Sequence, residues 1–156
     1  MTDNDLKLFV DIVSNYFSTI VREAPAFGEP IIEFSPPKLF EYSGFIQISG
    51  SDDGCVYLTM PKSFASAFLR RTGERDENDA LLSDLVGEMA STVASNARER
   101  FGSQFRISVP RTLIGGHTLP FSVPGTRFVL PIRWNGQTAQ LGIGVFTTAE
   151  VAVAKS

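Results

Sequence analysis

Asp84, Glu88, Ser91 and Ser95 recur at intervals of three and four residues, the spacing that stacks side chains on one side of a helix. At about 100° per residue, with Leu81 as zero, they fall between roughly 280° and 340°. Leu82, Leu85, Val86, Met89 and Val93 fall between roughly 40° and 140°, a stripe to be buried. The polar side is unusual for a long helix. Its middle holds short groups, Asp84, Gly87, Ser91 and Ser95, around Glu88, where Lys, Arg and Glu ordinarily dominate. Short side chains beside a carboxylate leave room for another surface to approach, so the chemistry they suit is recognition. A solvated face that happens to be small is the plainer reading. Gly87 weighs against it, because glycine inside a helix costs about 1 kcal/mol relative to alanine, and close approach or packing explains such a cost.

No other part of the sequence assembles a reaction centre. His117 lies in the loop Gly115-Gly-His-Thr118 and could act as a general base, but no second catalytic group is apparent, so a plain loop histidine is the simpler reading. One cysteine, Cys55, excludes an internal disulfide and any multi-cysteine metal site, and one histidine argues against a histidine-ligated zinc. Cys55 alternates within a strand and reads as a small core residue. Gly142-Ile-Gly144 lacks the strand-to-helix context of a nucleotide loop. Asn96, at about 60°, falls on the buried side and reads as a structural polar group. Trp134, beside a hairpin turn, is either an exposed contact residue or packs across strands.

The elements that must position the polar face follow from periodicity and turn chemistry. Asp5 to Arg22 is helical in pattern, with Asp3 or Asn4 as its cap. Pro25, Gly28 and Pro30 open a linker, and Pro36-Pro37 blocks regular structure. Phe45–Ile48 and Cys55–Leu58 read as two strands joined by the turn Gly50-Ser-Asp-Asp-Gly54. Ser63 to Arg71 is a short helix stopped by Gly73. The long helix runs from about Asp79 to Phe101, capped by Asn78 or Asp79 and ended by Gly102. Phe105 to Val109 is a strand closed by Pro110, and Arg111 to Thr126 a long loop or edge excursion. Phe128–Trp134 and Gln137–Phe146 flank Asn135-Gly136, the strongest short hairpin signal, with Pro131 placing the first of them at an edge or bulge. The order α-β-β-α-α-β-β-β predicts an α+β fold: long helices on one face of a mainly antiparallel sheet of about five to six strands.

With 156 residues, no repeats and no long linker, the chain reads as a single domain over residues 1–156. The 13 Phe suggest a dry, aromatic interior. A net charge of −3 gives no bulk attraction for nucleic acid or an anionic membrane. The acidic start MTDNDLK is unlike a signal peptide, and no apolar run approaches the roughly 20 residues of a membrane span. A cytoplasmic protein is expected.

The run Asp84-Leu-Val-Gly-Glu88-Met-Ala-Ser91-Thr-Val-Ala-Ser-Asn96 resembles the motif helix of the CheX/CheC/FliY family of chemotaxis phosphatases. That helix carries an Asp or Ser, a Glu four residues on, and an Asn three residues further. Asp84 and Glu88 match; Ser91 stands where the family has Asn. The hairpin ending in Gly54-Cys-Val-Tyr-Leu58 resembles the family's strand pair, and Ile107-Ser-Val-Pro110 its strand-and-proline segment. One copy of the motif helix is present, as in CheX.

The resemblance implies a protein that docks on a phosphorylated CheY-type response regulator and promotes hydrolysis of its aspartyl phosphate. The family's Glu pairs with the partner's active-site Lys, and its Asn orients the attacking water, so catalysis is positioning. Glu88 and Ser91 take those catalytic places, with Asp84 and Ser95 in partner binding. No cofactor is expected in this chain, because the Mg²⁺ belongs to the partner. A homodimer joined through sheet edges is expected, for which the last hairpin offers edge-capable strands. The alternative is a catalytically weakened or inactive scaffold, because a hydroxyl is shorter than an amide and lacks its paired donor and acceptor. A structural subunit related to flagellar switch components is a third reading.

Overall fold

The computed structural model describes residues 3–34, 36–50, 52–102, 105–116 and 126–147. The chain begins with α1 (Asp3–Ile20), then β1 (Ala26–Phe27), β2 (Ile31–Glu33), β3 (Tyr42–Gly50) and β4 (Asp52–Met60). Two helices follow, α2 (Lys62–Arg71) and α3 (Asp79–Phe101), and then β5 (Phe105–Ile107), β6 (Arg111–Ile114), β7 (Arg127–Trp134) and β8 (Gln137–Thr147). All strands join one antiparallel sheet in the order β1-β7-β8-β4-β3-β5, with β2 also paired to β7 and β6 also to β3.

The α+β architecture is the expected one, but the sheet has eight strands among the described residues where about five to six were expected. The additions are β1, β2 and β6, only two, three and four residues long. Strands this short, punctuated by Pro30 and followed by Gly115-Gly116, carry too little alternation to be read from pattern. They also change the edges. The last hairpin is interior: β8 lies between β7 and β4, and the far side of β7 is covered by β1 and β2. Pro131 tolerates this because it falls opposite the break between those two strands. There Gly28 donates its backbone N–H to the Pro131 carbonyl at 3.0 Å, and a Cβ on Gly28 would lie 3.0 Å from the proline ring.

Other local signals act as expected. Asn78 caps α3, its side chain accepting from the Leu81 backbone N–H at 3.0 Å, and Gly102 ends the helix at φ 106°. Asn135 (φ 53°) and Gly136 (φ 73°) make the left-handed turn between β7 and β8. Asp3, expected as a possible cap of α1, instead lies within the helix.

The helices cover one face of the sheet. Phe9, Phe17, Phe64 and Phe68 interdigitate there with Ile46, Leu58, Leu130 and Leu141, the aromatic interior that the Phe content suggested. Trp134 belongs to this core. It is 3% exposed, with Phe17, Phe64 and Phe68 centroids 6.0, 5.5 and 5.7 Å from its own, so it is no surface contact residue.

A smaller cluster, Phe45, Cys55 and Tyr57, occupies the opposite face under Leu39 and Leu113. Arg127, also buried, donates to the Tyr57 hydroxyl at 3.4 Å and pairs with Glu33 at 3.3 Å, tying the short β2 to the sheet. Burial pushes the Cys55 thiol from 9 to about 12, and burial, opposed by Arg127, pushes the Tyr57 phenol from 10 to about 12. The unfolded chain therefore releases these protons first. Their contribution to stability is whole below pH 9 and declines as pH rises toward 12. Chemical denaturation across pH 8–12 is expected to show stability falling from about pH 9, and Cys55→Ala is expected to delay that onset to about pH 10.

Candidate functional site

The long helix α3 is fixed by its backbone. A Cβ built on Gly44 of β3 would lie 2.8 Å from the Val86 carbonyl oxygen and 3.0 Å from the Gly87 Cα. One built on Gly87 would lie 2.8 Å from Thr112 Cγ2 and 3.5 Å from Pro110 Cβ. Two glycines thus let the helix settle directly on β3 while β6 closes against its flank. The space at Gly87 is filled by the chain's own Thr112 and Pro110, so the helical glycine serves packing and leaves no gap for a partner. Further along, Arg98 Nε donates to the Phe105 carbonyl at 2.8 Å and holds the far end of α3 to β5.

On this fixed helix the buried stripe lies where periodicity placed it: Leu82, Leu85, Val86, Met89 and Val93 are all buried. Asp84, Glu88 and Ser95 are exposed on the other side, and Ser91 is half-buried. The four predicted residues therefore share one accessible face. Among the described residues neither the Asp84 nor the Glu88 carboxylate has an ion pair or a hydrogen bond, so both negative charges face solvent. The Thr92 hydroxyl donates to the Glu88 carbonyl at 2.9 Å, a bond to the preceding turn that leaves the carboxylate untouched.

Asn96 departs from its expected role. It is half-buried, and among the described residues its side chain has no hydrogen bond, so it does not satisfy a polar group inside the fold. His117 lies outside the described residues.

Two residues that pack around α3 were not read from the sequence. Tyr16 of α1 is half-buried, stacks on Phe68 at 6.0 Å, and has its phenol pushed up to about 12 by burial and then by the nearby Glu88 charge. Gly44 is the other, and the interior glycine in Tyr42-Ser-Gly-Phe45 was its available signal, since a glycine within a strand marks close approach of another backbone.

Among the described residues no group of three or more His, Cys, Asp or Glu side chains is placed to hold a metal ion. No helix there is long and apolar enough to cross a membrane. What the face offers is a mildly acidic surface of small side chains, with the Asp84 and Glu88 carboxylates and the Ser91 and Ser95 hydroxyls on one side of the helix.

A family model described as chemotaxis phosphatase CheX matches residues 42–133, which span β3 through most of β7 and the whole of α3. No curated protein matches the chain. Among solved structures the fold is similar to that of a CheC-like superfamily protein from Shewanella sp. PV-4, with a TM-score of 0.81 and 23% identity over 93% of this chain and 99% of that one. It is similar to chemotaxis protein CheX from Desulfovibrio desulfuricans, with a TM-score of 0.78 and 23% identity over 91% of this chain and 99% of that one. It is also similar to a chain in the CheX–CheY–BeF3–Mg²⁺ complex from Borrelia burgdorferi, with a TM-score of 0.71 and 18% identity over 90% of this chain and 97% of that one. The family match covers more than half of the sequence and includes the helix whose exposed face carries Asp84 and Glu88, and on that ground the chain belongs to the CheX family of chemotaxis phosphatases.

Proposed function

We propose that the chain docks on a phosphorylated CheY-type response regulator through the exposed face of α3 and promotes hydrolysis of its aspartyl phosphate. The observation that carries this reading is the pair of unpartnered carboxylates, Asp84 and Glu88, one helical turn apart on a helix seated by glycine against the sheet. Glu88 would meet the cationic side chain of the regulator's site, and Ser91 would lie toward the phosphoryl group. The Mg²⁺ is the regulator's. The chain's contribution is to place a hydroxyl-held water for in-line attack, with Asp84 and Ser95 completing the contact surface.

The second reading is a scaffold that binds the regulator without accelerating hydrolysis. Ser91 favours it: the hydroxyl is short, and the residue is already half-buried. Dephosphorylation of a panel of the host's phosphorylated receiver domains, with and without the protein, separates the two. Acceleration supports the phosphatase; binding without acceleration of any receiver leaves the scaffold.

Glu88→Ala is expected to weaken receiver binding about tenfold or more, because a charge partner at an interface is left unpaired, with thermal stability unchanged since Glu88 is exposed. Binding of every receiver at wild-type affinity would remove the docking face from consideration. We also place a homodimer contact at the sheet edges. The last hairpin is interior to the sheet, and exposed apolar side chains at β2 support that edge instead: Ile31 and Ile32 are 51% and 55% exposed and Phe34 just beyond is 76% exposed. Sedimentation of wild type and Ile32→Lys tests it; a monomeric wild type would end the idea.

A further inference from the structure

Two contacts fix how the segment after α3 runs beside it. At one end Thr112 and Pro110 press against Gly87. At the other the Phe105 carbonyl accepts from Arg98. The segment therefore runs antiparallel to the helix, and residues 107–110 lie alongside the turns that carry Ser91 and Ser95. Ser108 is anchored from below, its backbone N–H donating to the Gln47 carbonyl and its hydroxyl accepting from the Gln47 N–H, each at 2.9 Å. Pro110, itself exposed, stiffens the following position. Between these anchors Val109 is 81% exposed, the most exposed of the chain's large apolar side chains among the described residues. A rigid backbone holds a valine out into solvent next to the hydroxyl end of the acidic face.

We infer that the docking surface continues from α3 onto the Val109–Pro110 ridge, and that Val109 is an apolar specificity contact with the receiver domain. This rests on the reading of α3 as the receiver-binding face. The occupant follows from continuity. Pro110, the residue after Val109, lies 3.5 Å from a Cβ built on Gly87, one turn before Ser91, so a surface that settles over Ser91 also meets the ridge at residue 109. The chemistry divides along the surface, with carboxylates at Asp84 and Glu88 for a cationic site and a bare methyl pair at Val109 for an apolar patch beside it. Apolar contact is insensitive to salt, whereas exposed charge pairing is screened. The ridge therefore supplies the part of the affinity that survives high ionic strength.

The test uses the full chain and the receiver domain that it binds best, with beryllofluoride and Mg²⁺ as the phosphoryl mimic, titrated at low and high salt. Val109→Ser is expected to weaken binding about tenfold, the scale of one well-packed interface side chain, and to make the remaining binding more salt-sensitive. Val109→Ile is expected to retain wild-type affinity. Neither variant is expected to move the melting temperature, because the side chain is solvent-exposed. Wild-type affinity and salt dependence in Val109→Ser overturn the ridge while leaving the α3 face intact, provided Glu88→Ala still weakens binding. Wild-type affinity in both Val109→Ser and Glu88→Ala overturns the α3 face as well. Equal weakening by Val109→Ser and Val109→Ile also counts against the inference, since an apolar contact tolerates the larger apolar residue.

Discussion

Gly142→Ala is expected to cost about 3 kcal/mol or more, and to leave little folded protein at 37 °C. Gly142 of β8 pairs with Tyr57 of β4, and the tyrosine ring lies flat over the glycine. A Cβ there would sit 2.0 Å from Tyr57 Cε1 and 2.1 Å from its Cζ, far inside contact distance. The ring cannot swing clear. It is 1% exposed, its neighbour Phe45 is 6.0 Å away between centroids, and its hydroxyl holds the buried Arg127. Moving it would also disturb the ion pair that fixes β2. Urea denaturation should show the loss as a lowered midpoint. The double variant Tyr57→Leu/Gly142→Ala should be less destabilised than the two single losses summed, because the first removes what the second collides with. Additive losses, or a Gly142→Ala protein as stable as wild type, would contradict the wedge.

Ser91→Asn is expected to raise receiver dephosphorylation on the order of 10²-fold, the size of one positioning contact. An amide extends further from the helix than a hydroxyl and presents a donor and an acceptor together, which lets it orient a water as well as hold it. The position tolerates the change because the residue is only half-buried and its side chain makes no hydrogen bond among the described residues. Single-turnover decay of the phosphorylated receiver, at saturating protein, isolates the effect from binding. A rate equal to wild type with unchanged affinity would show that α3 does not bring residue 91 to the phosphoryl group.

Much of this molecule was readable because its signals are local. The Asn78 cap, the Gly102 stop and the Asn135-Gly136 turn each state a backbone conformation in one or two residues. The α3 stripe repeats over enough turns to fix which side faces the sheet, and that alone brought Asp84, Glu88, Ser91 and Ser95 to one face. What escaped depends on tertiary partners. β1 and β2 exist because β7 supplies their hydrogen bonds, and β6 because β3 does. Trp134 is buried because three phenylalanines from α1 and α2 converge on it. Gly87 was visible as an anomaly, but its explanation needed the position of Thr112, 25 residues later.

The Gly44–Gly87 contact has a consequence for how such a protein can change. Where β3 passes under α3, at Gly44 and Gly87, main chain meets main chain with no side chain in between, and the buried stripe packs on either side of that point. Substitutions on the outward face therefore leave the helix where it is. The outward face and the fold are thus separable: residues 84, 88, 91 and 95 can change while the scaffold beneath them keeps its shape.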